Sequence, residues 1–167
     1  RVLVWGIAGT ATGAEFEAWS GAMEVNFDFQ AQRGALTKAN AKYVGNGPVE
    51  TGRVIRSYAV AVATGATTGT PLDNGASSSG VGGYFAYNNV TSGEANVRIL
   101  DSPDNITYSA LFTFAKTASA AGAAGAERLV TTAFAQRYTA ADVTTASATG
   151  SITGLNWFAG IVRGLSS

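Results

Sequence analysis

The chain has 167 residues, eleven Lys plus Arg against eleven Asp plus Glu, only 13% charged residues, and neither His nor Cys. The missing imidazole and thiol exclude a Ser-His-Asp triad, a cysteine nucleophile, a thiolate metal site and a disulfide framework. Zero net charge leaves no basic surplus for releasing counterions from phosphates, which excludes a nucleic-acid binder of the usual electrostatic kind.

An apolar content of 46% is that of a globular protein, and the length suits one β-sandwich or two small β units. No run approaches the roughly 20 apolar residues that span a bilayer, so no membrane partner is expected. The chain opens on Arg1 without an initiator Met, inside an apolar segment. It is therefore expected to be the later part of a longer protein. Asn89-Val90-Thr91 and Asn105-Ile106-Thr107 match the glycosylation acceptor pattern, as chance allows in so Thr-rich a chain.

Alternation with a period of two dominates the sequence and predicts strands. Val2-Leu3-Val4-Trp5 is the first, turned by residues 9–13. Glu15 and Glu17 follow, two apart and so on one face of a strand. A retaining glycosidase pair needs carboxyls about 5 Å apart with one held in an apolar pocket. Ala14-Glu15-Phe16-Glu17 gives no sign of such a pocket and reads as a solvated strand edge. Met23, Val25, Phe27 and Phe29 then alternate with Glu24, Asn26, Asp28 and Gln30, the clearest half-buried strand in the chain. Residues 38–44 form a weaker strand that ends at the turn cluster Gly45-Asn46-Gly47-Pro48.

A long strand is predicted over 52–62, followed by a Gly/Thr/Ala/Ser tract over 64–79 expected to be an ordered irregular loop with, at most, a short edge pairing. Further strands are expected over 83–90, 95–101, 106–114, 127–133, 136–144 and 155–164. Pro103, Asp104 and Asn105 supply a turn between two of them. The Ala/Gly tract over 118–126 is expected to be a loop, because its glycines oppose a helix. Strands joined by turns, with no sustained helical periodicity, predict an all-β chain. The expected architecture is a partial tube-forming β domain over 1–52 and a jelly-roll or Ig-like β-sandwich over 53–167.

No residue reads as catalytic, and neither a metal nor a cofactor is expected. Asp101, Asp104 and Asn105 are clustered oxygen ligands, but they fit no EF-hand spacing and read as a self-satisfied turn. Gly80-Val81-Gly82-Gly83 lacks the Lys and helix of a phosphate loop. Tyr84, Tyr87, Trp157 and Phe158 are a conceivable sugar-stacking platform, though aromatics at strand positions ordinarily pack in the core.

From Arg53 onward, about two thirds of the chain carries a family resemblance. The residues are Pro71-Leu72-Asp73-Asn74-Gly75-Ala76-Ser77-Ser78-Ser79, Gly82-Gly83-Tyr84-Phe85, Val97-Arg98-Ile99-Leu100-Asp101-Ser102-Pro103-Asp104-Asn105-Ile106-Thr107-Tyr108, Gly125-Ala126-Glu127-Arg128-Leu129, Gln136-Arg137-Tyr138 and Phe158-Ala159-Gly160-Ile161-Val162-Arg163. In this order they resemble the β-sandwich region of tail tube and related virion proteins of long-tailed bacteriophages. Pro103 stands where that family usually has another residue, a departure that leaves the turn intact. Ser102-Pro103-Asp104-Asn105 is also similar to hairpins of galactose-binding-like domains, which keeps a capsid decoration or carbohydrate-binding module as an alternative.

The tail-tube resemblance implies a structural subunit without enzymatic activity. Its partners would be copies of itself in rings, hexameric in that family, other tail proteins, and DNA in transit. Its location would be the virion, after assembly in the bacterial host cytoplasm. It implies that Glu24, Asn26, Asp28 and Gln30 face the lumen, and that Pro71, Leu72, Asp73 and Asn74, with the tract over 115–126, form assembly loops. If the lumen assignment holds, Glu24→Lys combined with Asp28→Lys is expected to slow or block DNA ejection from particles. An unchanged ejection rate would remove it.

Overall fold

The computed structural model describes residues 2–6, 11–20, 23–30, 38–45, 47–63, 67–90, 95–115, 123–145 and 152–165. Among them every regular element is a strand, so the chain is all-β. In chain order these are β1 (Val2–Gly6), β2 (Glu15–Ser20), β3 (Met23–Gln30), β4 (Lys38–Val44), β5 (Val49–Ala63), β6 (Thr67–Thr68) and β7 (Leu72–Asp73). There follow β8 (Gly80–Val90), β9 (Ala95–Ser102), β10 (Ser109–Thr113), β11 (Ala123–Thr131), β12 (Tyr138–Thr145) and β13 (Ile152–Leu165).

They form three antiparallel sheets: six strands ordered β1-β2-β5-β13-β8-β11, five built on β10-β9-β12-β6 with β7 also on β12, and the pair β3-β4. The six- and five-stranded sheets pack as a β-sandwich. Between them lie Ile55, Val81, Phe85, Leu155, Trp157 and Ile161 from one sheet and Val97, Ile99, Phe112, Ala141 and Val143 from the other.

Neighbouring residues on the central strands divide between two cores, as period-two geometry requires. Ile55, Phe85 and Trp157 enter the sandwich, whereas Val54, Tyr84 and Phe158 join Phe16, Ala18 and Val162 on the opposite face. That second face is covered by its own sheet. The edge strands β1 and β11 come back into contact, so the six strands roll around the second core. Phe16 on β2 meets Tyr84 on β8 edge-on at 5.7 Å between ring centroids. On a flat sheet those strands would stand about 14 Å apart, so the contact requires strong curvature. Phe16 also meets Phe158 at 5.4 Å, and the Cε1–Cζ edge of its ring occupies the space beside Gly52 and Gly160.

Several expectations change in the fold. β2 is not an edge: it pairs with β1 on one side and β5 on the other, with Phe16 and Ala18 fully buried. The position between residues 52 and 53, expected to divide two domains, lies inside β5, and strands from both sides of it share one sheet. Of the expected loop over 118–126, residues 118–122 lie outside the described residues and 123–126 belong to β11. They pair with β8 because Gly125 makes room for the Tyr87 ring, which a Cβ there would meet at 2.7 Å. β10 starts later than expected, at Ser109, because Asp104 Oδ1 accepts the Ile106 and Thr107 amides at 2.9 and 3.0 Å and holds 103–107 in a turn. Asn105 there adopts φ 62°, the left-handed conformation that Asn tolerates. Within 64–79, residues 64–66 lie outside the described residues, and β6 and β7 provide the short edge pairing on β12.

A Cβ on Gly160 would stand 2.5 Å from Phe16 and 2.8 Å from Phe158, two rings that the roll cannot release. Gly160→Ala is therefore expected to cost about 1–3 kcal/mol in denaturant unfolding, as overpacking does. Combining it with Phe16→Leu should recover part of that cost, since the two sites share one contact. Strictly additive losses would show that the ring does not fill this space.

Candidate functional site

Burying an acid inside a rolled sheet requires a partner, and Glu50 has two. It lies on β5 at 8% exposure, on the same alternation as Gly52 and Val54, so its side chain enters the second core. The Tyr84 hydroxyl donates to Glu50 Oε2, and the Arg128 guanidinium from β11 forks onto both carboxylate oxygens, with Nε to Oε2 at 3.0 Å. Arg128 Nε also donates to the Tyr84 oxygen at 2.9 Å. Glu50 and Arg128 are separated in the sheet by β13 and β8, so the clamp reaches across the curvature rather than between neighbours.

The electrostatics follow from burial. Desolvation, then the hydrogen bond to Glu50, pushes the Tyr84 hydroxyl far above the ordinary tyrosine range. Its hydrogen bond to Glu50 likewise raises the Arg128 guanidinium. Tyr84 is thus kept as a neutral donor, the reverse of what a tyrosine base or nucleophile needs. The clamp binds its own strands together.

A second buried carboxylate sits on the five-stranded sheet. Asp142 on β12 stands directly opposite Arg98 on β9, which donates to it through Nε at 3.0 Å and through Nη2. Asp142 is 2% exposed while Arg98 keeps a third of its side chain in solvent. That hydrogen bond raises the Arg98 guanidinium.

Two open clefts are notable, and the first borders the Glu50 clamp. One, of about 430 Å³, is walled by Val49, Glu50, Arg128, Val130 and Leu165. The other, of about 550 Å³, is lined by Glu15, Arg53, Leu72, Asp73, Asn74 and Arg163. In it Glu15 pairs with Arg53 at 3.2 Å, and Arg53 Nη1 donates to the Gly13 carbonyl at 3.1 Å.

The residues singled out from the sequence are spread over the fold. Glu24, Asn26, Asp28 and Gln30 lie on β3, paired with β4, and the register shifts between Glu24 and Asn26. Of Pro71, Leu72, Asp73 and Asn74, the last three line the larger cleft and are tied to other parts of the same chain. Leu72 and Asp73 pair with Thr139 and Tyr138, Arg137 forks onto Asp73, and the Asn74 amide donates to the Arg137 carbonyl at 3.1 Å. The fork from Arg137, then the Gly75 N–H, holds the Asp73 carboxyl below its usual range.

Of Tyr84, Tyr87, Trp157 and Phe158, only Tyr87 is partly exposed; the other three are buried, in two different cores, so the four form no shared stacking platform. Asp104 is engaged by Ser102 and by the turn amides, and Asp101 accepts the Gln136 N–H. Among the described residues no group of three or more acidic side chains is arranged to hold a metal ion. Glu50 lies just before the predicted span 52–62, although β5 begins at Val49. Its signal was an acid in step with Gly52 and Val54.

No protein-family model, curated protein or solved structure matches this chain.

Removing one side of the clamp leaves a buried charge alone. Arg128→Met is expected to cost about 3–5 kcal/mol in urea unfolding, whereas Glu50→Leu with Arg128→Met should recover most of it. A single-variant loss within about 0.5 kcal/mol of the wild type would show that the clamp carries no stability.

Proposed function

We propose that this chain is a non-enzymatic structural subunit of a virion, whose copies join into rings that stack as the tail tube of a long-tailed bacteriophage around a channel for DNA. The observation that carries the reading is the hairpin β3–β4. Eight residues pair with seven, yet among the described residues neither strand pairs with the rest of the fold. A two-stranded sheet is marginal in water by itself, and a third strand or a packed face is what makes one stable. Neighbouring copies can supply both. Exposed edges that would otherwise invite aggregation become the joints of the assembly.

The family resemblance supports the same reading, with Glu24, Asn26, Asp28 and Gln30 on the strand proposed to face the channel. The assembled particle would form in the bacterial host cytoplasm and carry the chain in its tail.

The larger cleft favours a second reading, a capsid decoration or surface module that binds carbohydrate. Carboxylates, an amide and guanidinium groups along one open groove suit sugar hydroxyls. The buried aromatics count against it, because none of them can stack on a sugar ring.

Purified protein examined by sedimentation and negative-stain imaging over a concentration series separates the two. Rings or short tubes are expected. A chain that remains monomeric at high concentration and binds a glycan array would replace the first reading with the second.

A further inference from the structure

The hairpin is inserted between two strands that pair with each other. β2 and β5 form one antiparallel ladder, and its last pair is Trp19 opposite Val49. Beyond that pair, residues 21–22 lead into β3, and residues 45–48 return from β4. The Trp19 side chain stands at this root. The Trp19 indole Nε1–H donates to the Gly47 carbonyl at 2.7 Å. A Cβ on Gly45 would lie 2.7 Å from Cε2 and 2.9 Å from Cζ2 of the same indole, distances that carbon atoms do not tolerate. The ring therefore packs against the returning segment and hydrogen-bonds to it two residues further on.

We propose that Trp19, with Gly45 and Gly47, is a clasp that fixes the direction in which the hairpin leaves the six-stranded sheet, and thereby sets how readily a second copy of this chain can join it. The inference rests on the reading of the hairpin as the joining element. Among the described residues the hairpin has no third strand to hold its course. An indole suits the task because it is flat, has only two side-chain torsions and carries a polar tip that can be anchored. Holding the hairpin in one direction before contact removes part of the ordering entropy that association otherwise costs. Trp19 is in this sense a positioning residue for assembly.

The chain has no Cys, so Asp28→Cys on β3 and Thr113→Cys on β10 give two specific spin-label sites. Pulsed electron paramagnetic resonance then reads the distance between hairpin and sandwich in the unassembled protein. Trp19→Phe keeps a ring and removes the N–H donor, while Gly45→Ala keeps the donor and displaces the ring. Both are expected to broaden the distance distribution while leaving the thermal unfolding of the sandwich nearly unchanged. Each should raise the concentration needed for assembly about tenfold, the weight of one partly buried hydrogen bond.

Distributions as narrow as the wild type in both variants would overturn the clasp. Broadened distributions with unchanged assembly would overturn its role in joining copies. If the wild-type chain does not assemble at all, the joining-element reading fails, and the distance measurement still decides whether the clasp directs the hairpin.

Discussion

A sheet that is apolar on both faces is stable only if both are covered, and that requirement organises this molecule. The six-stranded sheet lays one face on the five-stranded sheet and rolls around the other until its edges meet. The rolling decides where large and small residues can stand. Phe16 crosses the interior to reach Tyr84 and Phe158, and only the bare backbones of Gly52 and Gly160 leave space beside its ring. With no disulfide available, packing and hydrogen bonds must hold the curvature.

The charged groups follow from the same geometry. Glu50 and Arg128 are three positions apart in strand order and meet only because the sheet curls. Desolvating two charges costs several kcal/mol, so a pair of this kind specifies an arrangement more than it adds stability. Tyr84 completes the carboxylate's hydrogen bonding and is held neutral by doing so. Arg98 and Asp142 repeat the pattern between directly opposed residues of the flatter sheet, where no curvature is needed. Both buried carboxylates are spent on partners within the fold, which leaves them as fasteners.

Against this closed body the β3–β4 hairpin stands apart in topology. The loop over 71–74, expected like the hairpin to serve assembly, has the opposite fate. Asp73 and Asn74 are drawn to β12 by Arg137 and Thr139. The hairpin has its own ladder and, at its root, the Trp19 clasp. The difference lies in available partners: the loop runs beside a strand with a free edge, and the hairpin extends beyond the last pair of the ladder that bears it.

The positions of most strands are legible in the residues alone. Alternation located β3 and β4 at their observed bounds and placed β1, β8, β9, β12 and β13 within a few residues, because side-chain direction in a strand is a local property. It also identified the turn at Asp104 and Asn105, whose hydrogen bonds span only three residues. It left the start of β5 three residues late, and so passed over Glu50. It read Ala123 and Gly125 as loop, because the ring that makes small residues suitable there belongs to Tyr87 on another strand. It takes the folded chain to place β2 between two strands, to bring residues on both sides of position 52 into one sheet, and to make Glu50, Tyr84 and Arg128 meet. Those are facts of which strand lies beside which and how far the sheet bends, and a period of two carries no information about either.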